Sequence, residues 1–234
     1  MEKLVLTVNQ FEKDRINEFI SALRTPCNVV INRDSVFNDL LFEGEFRSKL
    51  LTHHSFMGSP LFQESFESAF VAACRKSRHT VEEAPQGKRF WDVMIDGRRI
   101  SLKSSKAASM RMGSIHISKL TEAAWIQDCR TATLRKERTF QLFEQYTSEV
   151  DSIIMLRYFA STKLYELVEI PVSMFSQIFS VDTSHFSADG PTINIPIGQV
   201  PPDFTLSIDR SDAKITIKNI NKELCTVHGT WQIT

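Results

Sequence analysis

Two short runs of strand composition, residues 90–95 and 100–105, flank Asp96-Gly97, the dipeptide that most readily supplies the positive φ of a tight hairpin turn. Side chains alternate along a strand. Trp91, Val93 and Ile95 therefore share one face, while Asp92 and Met94 share the other. On the second strand Ile100 and Leu102 face one way, and Ser101, Lys103 and Ser105 face the other. Pairing across the turn brings Asp92, Ser101 and Lys103 together on one sheet face, and the remainder of the chain has to be arranged around that hairpin.

Upstream, Phe11, Ile16, Phe19, Ile20 and Leu23 recur at helical spacing over residues 8–24, and Thr25-Pro26 stops the pattern. Residues 27–31 read as a short strand, and 34–57 as ambiguous with helical segments. Adjacent His53 and His54 cannot face one site on a regular element, so they are read as ordinary polar residues. Ser59-Pro60 has the composition of an N-cap and first helical position, which predicts a helix to about Arg78 with Phe62, Phe66 and Phe70 as its apolar stripe. Glu67 lies on a flank of that stripe, four residues after Gln63. As a bare helix glutamate it would be solvated; close to the hairpin it could reach a metal.

After the hairpin, residues 114–118 alternate as a strand, and 120–150 read as mostly helical with Thr121 as a cap. Ile153 to Leu156 form a continuous apolar run, the mark of a strand buried on both faces, and residues 163–170 alternate as its partner. A short helix is expected over 174–179. The stretch 184–202 is punctuated by Pro and Gly. Alternating pairs follow at 204–208 with 214–220, and at 225–228 with 230–233. The order of elements is that of an α/β protein. One domain over 1–234 is expected, divided into an N-terminal helical subregion (1–58), a core (59–170) and a β-rich C-terminal subregion (171–234).

The net charge is zero, yet residues 75–119 hold eleven Lys/Arg against four Asp/Glu, a segment of +7 in a remainder of −7. A basic block around the hairpin would focus an anionic ligand there; the plainer reading is a solvated charged surface. The four cysteines are scattered without a C-x-x-C pair, which disfavours zinc-ribbon and thioredoxin-like sites and suits thiols in a reducing cytosol. The N-terminal apolar run is too short for a signal peptide and no run approaches a membrane span. A soluble, cytoplasmic protein is expected.

Phosphodiester hydrolysis requires a divalent metal on the scissile phosphate, a carboxylate to hold that metal and a group to steady the attacking water. Magnesium prefers hard oxygens and keeps several waters. Asp92 can supply a carboxylate, Leu102 a backbone carbonyl, and Lys103 a positive charge for the nucleophile and the phosphate.

With Asp92 and Ser101-Leu102-Lys103 in this order, after a Glu67-bearing helix and before a strand, helix and strand, the chain resembles the PD-(D/E)xK nucleases, and among them the type II restriction endonucleases. The resemblance covers about residues 59–170. It implies a restriction-endonuclease-like αβββαβ core with a mixed central sheet flanked by helices, Mg²⁺ as cofactor, Asp92, Ser101, Lys103 and Glu67 as the catalytic set, and Asp92, Glu67 and Leu102 around the metal. Trp91 stands where that family has proline, and Ser101 where it has its second acid. The missing charge then has to come from Glu67, or less readily from Glu64 or Asp96; Asp96 is about 13 Å along the strand at ~3.3 Å per residue. Arg98, Arg99, Ser105, Lys106, Arg111 and Lys119 would meet phosphates of double-stranded DNA, or form a solvated rim. A homodimer would match a palindromic site. Asn194, Asp209, Arg210, Lys214, Lys218 and Asn219 could enter the major groove, build the dimer contact, or form a sheet edge. Two other functions fit the same pattern: a structure-specific repair nuclease, and a noncatalytic DNA-binding protein on a decayed nuclease core. A hairpin whose Asp and Lys only pair at the surface is the non-functional reading.

Overall fold

The computed structural model describes residues 8–187 and 192–234. The expectations for the N-terminal apolar run and for the 184–202 stretch fall partly outside these residues. Near the N-terminus, α1 (Gln10–Leu23) starts with a capping box in which Asn9 Oδ1 accepts from Glu12 N–H and Glu12 returns the bond to Asn9 N–H. Strand β1 (Cys27–Ile31) and α2 (Leu40–Met57) follow; Asp39 caps α2, and Gly58 closes it in the left-handed conformation with φ 58°. The helix α3 (Gln63–Lys76) begins three residues later than Ser59-Pro60 suggests. Leu61 is inserted into the core from extended chain, so helix formation waits until Gln63, and Ser65 Oγ accepts the Phe62 N–H. Phe62 is consequently left outside the apolar stripe, 40% exposed, whereas Phe66 and Phe70 are buried.

Strands β2 (Val81–Glu83), β3 (Val93–Ile95) and β4 (Arg98–Ser105) form an antiparallel meander. The turn has φ 49° at Asp96 and 82° at Gly97, as its composition requires. Strand β5 (Ser114–Glu122) overruns the expected 114–118 and takes in Thr121, the residue expected to cap a helix. Pairing of Thr121 with Ile215 and Glu122 with Lys214 holds this segment extended, so the helix α4 (Ala132–Glu149) starts later, capped by Thr131. Strands β6 (Ser152–Phe159) and β7 (Leu164–Pro171) pair antiparallel, and a 3-10 helix covers Val172–Ser180. Then come β8 (Thr192–Ile197), β9 (Phe204–Asp209), β10 (Lys214–Asn221) and β11 (Thr226–Ile233).

The strands divide into a seven-stranded sheet of order β1-β11-β7-β6-β4-β3-β2 and a four-stranded sheet of order β5-β10-β9-β8. Only β4 and β6 are parallel, and the crossover that parallel strands need carries β5 and α4. Two expectations are corrected here. Residues 225–228 and 230–233 are one strand, not a pair, and β11 leaves the C-terminal group to lie between β7 and β1. Gly229 permits this, since a Cβ there would stand 2.6 Å from Ile31 Cδ1. The strand at 114–118 belongs to the small sheet, not to the central one.

The large sheet is covered on both faces. Phe42, Phe46 and Leu50 of α2 and Phe66 and Phe70 of α3 pack with Leu102, Ile154, Leu156 and Trp231 on one side. On the other, Phe143 and Tyr146 of α4 and the isoleucines of the small sheet pack with Ile153, Met155 and Val168. Every residue of β6 is buried, as its unbroken apolar run requires. Each such aromatic or aliphatic side chain contributes roughly 1.5–3 kcal/mol when withdrawn from water, so β6 and its neighbours form a rigid frame for β4.

Candidate active site

Asp92 immediately precedes β3 and lies against β4, at the end of the hairpin away from its turn. Its N–H donates to Ile100 O at 2.9 Å, and its carbonyl accepts from Ala84 N–H at 3.0 Å. Two residues earlier Phe90 takes φ 77°, which a bulky side chain rarely adopts; its ring is held edge-on to Tyr146 at 5.4 Å. The chain thus bends just ahead of Asp92, and the carboxylate is directed back over β4. Its Oδ2 accepts from Leu102 N–H at 2.6 Å and from Ser101 Oγ at 3.3 Å. Both bonds go to the same oxygen, and Oδ1 has no hydrogen-bond partner among the described residues.

Glu67 approaches from α3. With Asp92 and Leu102 it lines a cleft of about 260 Å³, whose wall also carries the Arg75–Glu83 ion pair at 2.6 Å. Burial pushes the Glu67 carboxyl above the usual range; Gln63 pulls it down, the charge of Asp92 raises it and that of Lys103 lowers it. Gln63 Nε2 donates to Glu67 Oε1 at 2.6 Å and to Leu102 O at 2.8 Å. Among the described residues the hydrogen bonds to these two carboxylates come from neutral groups, and such a pair of acidic oxygens suits a cation.

Of the sequence-derived candidates, Asp92, Glu67 and Leu102 therefore line one cleft, and Ser101 and Lys103 flank Leu102 on β4. Ser101 is wholly buried and reaches the site through Asp92. Glu64 is exposed and absent from the cleft wall, and Asp96 is engaged at the hairpin tip by His79 Nδ1 at 2.6 Å and Thr80 N–H at 2.9 Å. The basic candidates separate into two groups. Arg98 is paired with Glu169, Arg99 with Asp151 and Lys119 with Glu122. Ser105 and Arg111 line a second cleft of about 300 Å³ with His116, Arg157 and Asn219; Lys106 is exposed beside Ser105. The second cleft is slightly larger but has no carboxylate in its wall, so the first offers more oxygens to a divalent metal. Among the described residues no three His, Cys, Asp or Glu side chains cluster as a metal site.

Gln63 and the Arg75–Glu83 pair were not marked by the sequence. A neutral amide has no charge pattern to betray it; the spacing of four from Glu67 was its one signal.

Comparison with known proteins gives this geometry a family. The family model described as SmaI, type II site-specific deoxyribonuclease, matches residues 4–233. This chain belongs to that family. The type II restriction enzyme SmaI of Serratia marcescens is 28% identical over 238 residues, spanning 96% of this chain and 92% of that protein. A solved restriction endonuclease in complex with substrate DNA covers 71% of this chain and 67% of its own, at 13% identity and a TM-score of 0.37, a likeness on which nothing further is built. The family membership makes this chain a sequence-specific restriction endonuclease acting on DNA, and sets aside the repair-nuclease and noncatalytic readings. Type II enzymes are typically metal dependent. No helix among the described residues is long and apolar enough to cross a membrane.

Proposed function

We propose that the Asp92–Glu67 cleft is the catalytic centre of a magnesium-dependent, PD-(D/E)xK-type endonuclease. In this reading α3-β2-β3-β4-α4-β6 is the αβββαβ core, and the strand that the sequence assigned to it at 114–118 is replaced by β2. The observation that carries the reading is the meeting of Glu67, Asp92 and Leu102 on one cleft wall. The donor set fits magnesium: two carboxylates and a carbonyl are hard oxygens, and a half-open cleft leaves room for water.

When bound, the metal supplies Lewis-acid polarisation of the scissile phosphate and a more acidic water. The chain does the rest. Leu102 N–H and Ser101 Oγ hold Asp92 Oδ2, which fixes the carboxylate and leaves Oδ1 directed for use. Ser101 is thus a positioning residue. Lys103, one residue past the Leu102 carbonyl, places its ammonium beside the attacking water and the phosphate oxygens, where it favours hydroxide and offsets the developing charge. Ser105 ends that strand, and with Lys106 and Arg111 of the loop that follows it holds the DNA backbone at the second cleft. Arg98, Arg99 and Lys119, already neutralised by acidic neighbours, have the smaller part.

The substrate is double-stranded DNA in the cytoplasm, read by a homodimer whose two-fold axis matches a palindromic site. The exposed apolar residues Phe11, Phe19 and Ile20 of α1 support such a contact. Sedimentation of the purified protein tests the dimer. Plasmid cleavage with Mg²⁺ tests the site: Asp92→Ala and Lys103→Ala should stop cutting while retaining DNA binding. Cutting at wild-type rate by either variant would place the chemistry elsewhere.

A further inference from the structure

The geometry points to Gln63 as an oxygen donor to the bound cation, with its side-chain amide turned over from the orientation in which it donates to Glu67 and Leu102. This inference rests on the metal-site reading above.

Glu67 Oε1 and Leu102 O are acceptors only, and both lie within hydrogen-bond distance of one Gln63 nitrogen, at 2.6 and 2.8 Å. The amide orientation is therefore set by its partners: NH₂ must face them. Those two oxygens are also the ones assigned to the metal with Asp92. The amide NH₂ faces both of these oxygens from one side of the position that a cation held between them would take.

A cation entering that place breaks both hydrogen bonds and repels the NH₂ group. The terminal torsion of glutamine is broad and nearly two-fold, so half a turn replaces Nε2 by Oε1 without moving α3. The donor that blocked the cleft then becomes an amide carbonyl, an oxygen type found in hard-cation sites. Gln63 is the first residue of α3 and Glu67 lies one turn on, so the helix presents both to the same place. The Ser65 bond to Phe62 N–H and the burial of Phe66 fix that first turn. The chain also lacks a donor: Ser101, at the position where a second acid would be, is fully buried and bonded to Asp92. Gln63 restores the count from the opposite wall, without the charge.

If Gln63 only competed with the metal, shortening it would strengthen metal binding; if it only tethered α3 to β4, Gln63→Glu, whose carboxylate cannot donate to either oxygen, would weaken it.

Mn²⁺ binding to the DNA-free protein, followed by electron paramagnetic resonance, separates the two, with circular dichroism melts in chelator checking that each variant is folded. Gln63→Ala should weaken Mn²⁺ binding roughly tenfold. Gln63→Glu should bind Mn²⁺ at least as tightly as wild type, because its carboxylate keeps the oxygen and adds charge. Asp92→Ala should weaken binding most. If Gln63→Ala binds as tightly as wild type or tighter while Asp92→Ala is impaired, the role given to Gln63 is wrong and the metal site stands. If neither variant differs from wild type, or wild type binds no Mn²⁺ at millimolar concentration, the metal-site reading fails and this inference with it. Should Gln63→Ala not fold, Gln63→Glu decides: weaker binding than wild type overturns the donor role.

Discussion

Carboxylates in two regions of the molecule are treated in opposite ways. Glu166 on β7 is 2% exposed and meets two cations, Arg157 at 2.6 Å and Lys222. Arg157 also donates to the carbonyls of Arg111 and Ser114, so the network joins the large sheet to the start of β5. Glu169, three residues on, is bonded to His228 Nε2 at 2.8 Å and to Arg98; Ser35 Oγ sits 2.8 Å from the other nitrogen of that ring. Burial works to raise the Glu169 carboxyl, but the His228 and Arg98 bonds outweigh it and hold the pKa at about 2. Glu67 has an amide for its bonded partner and is shifted upward. Carboxylates that hold the fold are neutralised by the protein itself; those of the cleft are left for something the chain does not contain.

The largest effect should come from the cleft. Asp92→Ala is expected to lower cleavage roughly 10⁴-fold, about 5 kcal/mol of transition-state stabilisation, with little change in melting temperature; a large loss of stability instead would assign Asp92 to the fold-holding group. Next, Glu166→Gln should destabilise the protein by about 3–5 kcal/mol, because Arg157 is left buried without its countercharge. Urea unfolding measures this, and a variant as stable as wild type would remove the contrast. Third is the acid dependence of Glu169. Its folded pKa lies below the unfolded one, so its contribution is fully present above about pH 4.5 and is lost as pH falls toward 2, on the order of 3 kcal/mol in total. Unfolding curves from pH 6 to 3 should show that slope, and Glu169→Gln should flatten it.

Smaller effects sharpen the other side. A carboxyl raised on folding gives stability that is present at low pH and lost as pH rises through its folded pKa. Glu67→Gln should therefore be within about 0.5 kcal/mol of wild type, or more stable, at pH 7.5 without metal, while its cleavage falls. Marked destabilisation in chelator would contradict this. Smallest is Arg111→Ala, which should weaken DNA binding and reduce the salt slope by about one; Arg98→Ala, at a residue already paired, should leave that slope unchanged.

The hairpin and β6 were legible because their signals are local: a turn dipeptide between alternating strands, and an unbroken apolar run. So was the approach of Glu67 to Asp92, given the resemblance. The helix starts were misplaced where tertiary structure overrode a local preference, at Leu61, which is drawn into the core, and at Thr121, which pairs with Ile215. The division into two sheets was not legible, since strand partners far apart in sequence leave no periodic trace. Nor was the His228–Glu169 bond, made between residues whose local surroundings read only as alternating strand.

Trp231 pairs with Tyr165 on one side and Val29 on the other, and its ring packs on Phe46 at 4.8 Å. A ribosome finishes Asp92 and Lys103 long before it reaches this tryptophan, on the order of ten seconds earlier at ~5–20 residues per second. Until β11 has been made, the large sheet lacks the strand that joins β7 to β1, so closing this sheet is among the last steps open to the chain.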